Sequence, residues 1–441
     1  MANVTVYDKK LNKRVMEALS GETLMQCLGR NHVFFHANCG GNGRCRQCEV
    51  LVDGVRRRSC KYQITHDCKV VLPFSFSDSM TALTCVSEEN QAGTIAYSLC
   101  VDLGTTTIAM ALLNQEGRVM AELGFENSQR VYGADVAARI QYASTEQGLK
   151  LLQELALADI RRGKQQLFQK IGAIEVKTDC YVSGNTVMLH ILGGVSPESI
   201  GSYPFTPKHP EYRRISDDEI GTLHLLPCAS GYIGSDVTVG AFYYHLHHKE
   251  KPCFYLDLGT NGEMLLGDRN HIFSTSVAAG PAFEQFFRGS EALASLSALR
   301  QKGVIDEHGT LQEEYLESGY LYNGILVTQE AIRQLQLAKG AVRAGIEILC
   351  YRFGCSLQEV NQVFVAGGFG FYLREEDARF LGMFPDAFAG KITVVGNASL
   401  SGTVACHKEI AQLQQFNEEI LNLDLSLDEQ FQERYVKYME F

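Results

Sequence analysis

Three thiols within ten residues are the first chemistry this chain offers. The segment Ala37-Asn38-Cys39-Gly40-Gly41-Asn42-Gly43-Arg44-Cys45-Arg46-Gln47-Cys48 spaces its cysteines as Cys-x5-Cys-x2-Cys and interleaves three glycines. Glycine reaches positive φ without a Cβ clash, so backbone N–H groups can turn inward toward sulfur. Thiolates held this way are the ligands that an iron–sulfur cluster requires. A zinc ribbon would want two Cys-x2-Cys knuckles, and this region has one such pair. A fourth thiol must come from downstream, where Cys60, Cys68 and Cys85 all follow.

A second set of residues suits phosphate. Ser98-Leu99-Cys100-Val101-Asp102-Leu103-Gly104-Thr105-Thr106-Thr107-Ile108 reads as strand, tight turn, strand. Backbone N–H and hydroxyl groups at Gly104, Thr105, Thr106 and Thr107 can hold phosphate oxygens, and Asp102 can hold a Mg²⁺-bound water. No Gly-Lys-Ser/Thr follows, so this is not a Walker A loop. The device returns 155 residues later in Cys253-Phe254-Tyr255-Leu256-Asp257-Leu258-Gly259-Thr260-Asn261-Gly262-Glu263. One copy is weak evidence, but two imply duplicated halves facing a cleft.

These residues need elements to position them. Around the cysteines, 3–7 and 14–16 read as paired strands and 24–28 as a helix capped by Ser20 and Glu22. Cys48 to Val52 reads as a strand entering an Asp53-Gly54 turn. Cys27, on the helix, reads as a core residue. The expected organisation is a small β-rich domain over residues 1–74, a linker over 75–97, and two larger lobes over 98–250 and 251–441, the C-terminal segment returning to the first lobe.

Composition narrows the classes. A chain of 441 residues is long enough for two or three domains, and 45% hydrophobic residues is ordinary for a globular protein. The net charge of −11 argues against a general nucleic-acid binder. No apolar run reaches the roughly 18 residues of a membrane span, and the N-terminus lacks an apolar signal core, so a cytoplasmic protein is expected. Of fourteen cysteines, eight fall between Cys27 and Cys100. The other six (Cys180, Cys228, Cys253, Cys350, Cys355, Cys406) are expected to be buried reduced thiols. The basic run Arg56-Arg57-Arg58 beside Cys60 is either a solvated turn or a docking patch for an acidic redox partner.

The cysteine spacing is one residue longer in its first gap than the plant-type pattern. It resembles vertebrate and bacterial-type ferredoxins and the ferredoxin-like domains fused to larger enzymes, which implies a [2Fe–2S] cluster and a β-grasp fold. A cysteine followed by an Asp-led terminal strand resembles the closing segment of such domains. That favours Cys60 as the fourth ligand after Cys39, Cys45 and Cys48, with Cys85 the rival.

The two Asp-x-Gly-Thr turns resemble the phosphate loops of the actin, sugar kinase and heat-shock-70 superfamily. Val363-Phe364-Val365-Ala366-Gly367-Gly368-Phe369-Gly370 resembles its adenosine motif. Further segments narrow the resemblance: Asn127-Ser128-Gln129 with Tyr132-Gly133-Ala134-Asp135-Val136, Gly184-Asn185-Thr186-Val187-Met188-Leu189-His190, Gly231-Tyr232-Ile233-Gly234-Ser235-Asp236, Ala279-Gly280-Pro281-Ala282-Phe283-Glu284 and Leu335-Gln336-Leu337-Ala338-Lys339-Gly340-Ala341. Together they resemble the reductive activators of corrinoid-dependent methyltransferase systems, which join a [2Fe–2S] domain to a two-lobed actin-like (ribonuclease H-like) ATPase.

The resemblance implies an electron passed from the cluster to a Co(II) corrinoid protein, driven by ATP and Mg²⁺ with lobe closure as the coupling motion. An upstream low-potential electron donor and a homodimer are also implied. Asp102, Asp257 and Glu284 would be catalytic. Gly104, Thr105, Thr106, Thr107, Asn185, Gly259, Thr260, Asn261, Gly367 and Gly368 would bind nucleotide. Read as residues alone, Glu284 positions a water or caps a helix, His190 is a satisfied core histidine or a ligand, and Lys339 approaches phosphate or lies on a solvated helix face. The linker is shorter than those activators often have. An ATP-gated electron carrier or redox regulator without a corrinoid partner is the alternative, and a small-molecule kinase a weaker one.

Overall fold

Alternation of apolar and polar residues builds the first sheet. The strand β1 (Ala2–Tyr7) buries Val4 and Val6, and β2 (Lys13–Ala18) buries Met16 and Ala18 toward the same side. A period of two sends every second side chain to one face. The computed structural model describes residues 2–8, 11–19, 21–31, 33, 48–73, 96–259, 261–279, 291–367, 373–425 and 428–441. The chain divides into two compact units, 1–226 and 227–441.

In the first unit, a helix α1 (Leu24–Arg30) sets Leu24, Cys27 and Leu28 into the core of this sheet, each fully buried. A hairpin follows, β3 (Glu49–Val52) and β4 (Val55–Arg58), closed by Asp53 and Gly54 at φ 50° and 81°. Two consecutive positive φ values make a type I′ turn, whose twist matches that of the strands. With β5 (Cys68–Val71) parallel to β1 and antiparallel to β3, the order is β2-β1-β5-β3-β4.

The same unit carries a six-stranded sheet. Its meander is β6 (Ser98–Leu103), β7 (Thr107–Leu113) and β8 (Val119–Glu126), all antiparallel. Next to β6 runs β9 (Asp179–Gly184) in parallel, followed by β11 (Gly221–Leu225) and the edge strand β10 (Arg213–Asp217). Parallel pairing needs a crossover. It includes α2 (Val136–Tyr142) and α3 (Glu146–Lys170), the latter capped by the Thr145 side chain on the Gly148 amide. Leu152, Ala156, Ile160, Gly163 and Leu167 recur at helical spacing and are buried. Gly163 lets the helix lie close to β7, since a Cβ there would meet Met110 Sδ at 2.2 Å and force that side chain to shift.

A 3-10 turn, Ser128–Val131, follows β8 and lies against α1, with Val131 packed on the core of the cysteine domain.

The second unit repeats the meander. Strands β12 (Cys253–Leu258), β13 (Gly262–Gly267) and β14 (Ile272–Val277) are antiparallel, and β17 (Gln362–Ala366) runs parallel to β12. Strands β18 (Ile392–Gly396) and β19 (Ile420–Asn422) complete the sheet, ordered β18-β17-β12-β13-β14-β19, while β15 (Tyr320–Tyr322) and β16 (Ile325–Val327) form a separate hairpin. The 25-residue helix Gln329–Phe353 covers one side, starting at a Thr328 cap and ending at Gly354 with φ 84°. The last helix, Glu429–Lys437, lies along it. Five of the six scattered cysteines are buried, while Cys355 is half-buried.

Candidate functional site

In the first unit, register sets the turn geometry. Leu103 pairs with Ile108, so Gly104 to Thr107 close the β6–β7 hairpin and Asp102 sits opposite Ala109. A Cβ on Gly104 would stand 2.5 Å from the Thr107 carbonyl oxygen, which is why this position needs glycine. Thr105 and Thr106 are half-buried and Thr107 exposed, leaving the turn open to a ligand.

Two side chains outside the turn brace it. Asn127 donates through Nδ2 to the Gly104 carbonyl at 2.8 Å, and its own amide donates to the Thr106 carbonyl at 3.0 Å. Arg139, fully buried on α2, donates to the carbonyls of Thr105 and Gly133 and to Gln129 Oε1. Burial, with the nearby Arg130 charge, pulls the guanidinium pKa down to about 9. At pH 7 it therefore remains a cation buried beside the Gly104–Thr107 turn.

At the end of β9, Gly184 lies so close to β6 that a Cβ would meet the Leu103 carbonyl oxygen at 2.9 Å. Asn185 follows, its Oδ1 accepting from the Val187 amide as the cap of α4 (Thr186–Leu192).

The second unit repeats this plan with a shorter turn. Leu258 pairs with Gly262, and Asp257 then faces Glu263 across the hairpin. Gly259 donates its amide to the Asn261 carbonyl, and Asn261 Nδ2 donates to Glu263 Oε1 at 3.2 Å. Glu263 is buried, and burial raises its pKa well above the usual carboxylate range, helped by the charges of Asp257 and Asp236. Gly367, at the end of β17 with φ 89°, would bring a Cβ to 2.6 Å from the Leu258 carbonyl oxygen and 2.7 Å from Asp257 Oδ1. Only glycine fits so close to the carboxylate.

Among the described residues, no three His, Cys, Asp or Glu side chains converge to hold a metal ion. Mg²⁺ usually keeps several waters and binds through one or two carboxylates plus phosphates, and single carboxylates at Asp102 and Asp257 fit that mode.

The cysteine domain brings two of its thiols together. Cys48, at the start of β3, and Cys60, just after β4, are buried with Sγ atoms 3.3 Å apart. The Ser59 amide donates to the Cys48 carbonyl at 3.0 Å, tying the two segments. Two sulfurs on one tetrahedral metal at ~2.3 Å lie roughly 3.8 Å apart, so this pair needs to open only slightly to share an ion. The adjacent Ser59 Oγ is buried without a hydrogen-bond partner among the described residues, as expected of a hydroxyl beside a sulfur-rich group. The thiol pair and this hydroxyl fit an iron–sulfur cluster. Cys39, Cys45 and the rival Cys85 lie outside the described residues, as do Thr260, Glu284 and Gly368.

Two readings are decided by contacts. His190 is a satisfied core histidine: Nδ1 meets the Thr186 carbonyl at 2.8 Å and Nε2 accepts from the His209 amide. Lys339 neither approaches phosphate nor lies on a solvated face. It is fully buried, and its Nζ donates to the carbonyls of Tyr438 and Glu440.

Family models match the rest of the architecture. Residues 97–249 match the RACo middle region, and residues 251–301 and 287–441 match the C-terminal domain of RACo, the ASKHA domain. The chain belongs to the RACo family. Its ATPase-type fold is that of a solved RACo-like structure, the reductive activator for corrinoid, iron-sulfur protein, at a TM-score of 0.71. The two are 22% identical, covering 100% of this chain and 98% of that one. The corrinoid activation enzyme RamQ of Eubacterium limosum is 24% identical over 378 residues, 69% of this chain. The [Co(II) methylated amine-specific corrinoid protein] reductase of Methanosarcina barkeri is 22% identical over 376 residues, also 69% of this chain. The chain spans 63% of the length of the first and 68% of the second.

Asn127, Arg139 and Glu263 are residues around the two hairpin turns to which the sequence alone assigns no role. Only Glu263 had a readable signal: a hairpin closed by Leu258 and Gly262 must set it opposite Asp257.

Proposed function

We propose that this chain is an ATP-dependent reductive activator, an ATP-hydrolysing reductase that passes an electron to a Co(II) corrinoid protein and restores the Co(I) nucleophile for methyl transfer. The observation that carries this reading is the presence, in one RACo-family chain, of the buried Cys48–Cys60 thiol pair and two Asp-x-Gly-Thr hairpins. The names of the relatives support the corrinoid partner.

In this reading residues 1–74 carry the electron, 75–97 link, and the lobes 98–250 and 251–441 hold nucleotide. Cys39, Cys45, Cys48 and Cys60 would hold a [2Fe–2S] cluster, which supplies one-electron transfer when bound. The protein's part is to bury Cys48 and Cys60, excluding water from the sulfurs. Backbone N–H groups and hydroxyls of Gly104 to Thr107 and of Gly259 to Asn261 hold phosphate oxygens, Asp102 and Asp257 orient Mg²⁺-bound waters, and Glu284 positions the attacking water. Gly367 and Gly368 admit the nucleoside to the backbone, and Asn185 is a further nucleotide-binding residue. Among the described residues no helix is long and apolar enough to cross a membrane; we place the protein in the cytoplasm, as a homodimer fed by a low-potential donor.

The test mixes the reduced protein, a Co(II) corrinoid protein and Mg-ATP anaerobically and follows cobalt by visible spectroscopy. Formation of Co(I) only with ATP is expected; cobalt remaining Co(II) would overturn the proposal. Cys60→Ser should lose bound iron and Cys85→Ser retain it, and the reverse would move the fourth ligand to Cys85.

A further inference from the structure

Charge in this chain is unevenly distributed. Residues 1–73 hold twelve Lys and Arg against six Asp and Glu, while the remaining 368 residues hold 28 against 45. A domain carrying six excess positive charges therefore sits in a chain of net charge −11.

Topology concentrates part of that charge. One face of the five-stranded sheet packs against α1 and its core. The opposite face presents Lys13 and Val15 from β2, Lys69 from β5, Leu51 from β3 and Arg56 from β4, all exposed. Val15 is 58% exposed and Leu51 38%. The cationic end is β4, an edge strand, which carries Arg56, Arg57 and Arg58 two residues before Cys60. Among the described residues Arg56 and Arg57 make no ion pair, whereas Arg58 reaches Glu49 at 3.9 Å. The three arginines lie on the edge strand itself rather than in a turn, and the buried thiol of Cys60 follows two residues on.

We propose that the cationic edge of this sheet, β4 with Arg56 on the open face and Arg57 on the other, docks a small acidic electron-carrier protein that reduces the cluster, an inference that rests on the iron–sulfur reading above. Cationic and apolar groups side by side suit a transient interface in which charge steers encounter and a few apolar contacts fix it. Charge also selects donor over acceptor. A partner that had to touch the ATPase lobes as well would meet the opposite sign there, while an electron donor needs the cluster domain alone. The transfer is one electron from the reduced carrier to the oxidised cluster, with no bond made or broken.

The experiment uses the full chain, with bound iron measured first. Cluster reduction is followed by stopped-flow absorbance, with a reduced acidic plant-type ferredoxin as probe and reduced methyl viologen, a cation, as control. Ferredoxin should reduce the cluster at least tenfold more slowly at high than at low salt, because screening removes steering. Charge reversal in Arg56→Glu/Arg57→Glu should cost at least tenfold at low salt, and Arg56→Gln/Arg57→Gln less, both with unchanged iron content. Neither pair should slow reduction by viologen, and Lys150→Glu on α3 should change neither rate. Salt-independent reduction with wild-type rates in the charge-reversed chain would overturn the inference alone. A loss confined to the onward step, with a methylated amine-specific corrinoid protein as acceptor, would also overturn it, giving the face to the acceptor. A wild-type chain without iron would overturn the cluster reading first and this inference with it.

Discussion

The β6–β7 and β12–β13 hairpins are copies of one plan with different electrostatics. Each ends its first strand in Asp-Leu-Gly-Thr, and each is flanked by a parallel strand ending at a glycine that abuts the carbonyl after the Asp. In the first copy Asp102 faces Ala109, and the turn is braced from outside by Asn127 and a buried cation, Arg139. In the second Asp257 faces the buried carboxyl of Glu263, with Asp236 adding charge, and Asn261 bridges within the turn. One half carries a buried positive charge beneath its turn, and the other a buried carboxyl whose pKa is raised by burial and by the charges of Asp257 and Asp236. The difference teaches that one backbone plan can be kept in both halves while the electrostatics around it are opposite.

The sharpest way to break the comparison is at the paired glycines. Gly367→Ala combines a positive φ with contacts to a carbonyl and a carboxylate, and should cost about 3–5 kcal/mol in urea unfolding and abolish nucleotide binding. Gly184→Ala faces a single carbonyl at 2.9 Å and no unfavourable φ, so about 1–2 kcal/mol is expected. Equal losses would mean that the positive φ and the carboxylate contact at Gly367 add nothing to the close carbonyl approach the two glycines share.

Removing the buried cation tests the bracing. Arg139→Met leaves the Thr105 and Gly133 carbonyls without their donor in a buried site, and a loss of about 3 kcal/mol in the same unfolding experiment is expected. A loss near zero would show that Asn127 alone holds the turn.

The smallest effect is a pH signature of the second half. A carboxyl whose folded pKa is raised binds more protons folded than unfolded, so its contribution favours folding below the unfolded value near 4.5 and declines as pH rises toward the folded pKa. Glu263→Gln should therefore be more stable than wild type at pH 8, with the difference fading below pH 4.5 in thermal unfolding. A wild type that stays the more stable at pH 8 would mean that Glu263 is ionised in the fold.

Spacing made much of this site legible. The hairpins and their glycines are local in sequence, and the strand–turn–strand pattern sets their register. Asn127 and Arg139 were not legible as braces because their partners lie 23 and 34 residues away. Lys339 misled for a different reason. It shares the buried stripe of its helix with Leu335, Val342 and Ile346, but a lysine on such a stripe reads as exposed until the carbonyls of Tyr438 and Glu440 are seen to satisfy it. Burial lowers its pKa to about 7. Cys60 as a ligand is proposed from the resemblance, and its Sγ distance from Cys48 is the physical argument for it.

The short turn Ser128–Val131 governs how the first unit comes apart. Val131 fills the flank of the cysteine domain's core, and Asn127, four residues earlier, holds the Gly104 turn. Proteins open in cooperative blocks, and here a block crosses from one sheet to another. Loss of order around the thiols would spread to the Gly104–Thr107 turn, so that damage in one sheet also loosens the hairpin of the other.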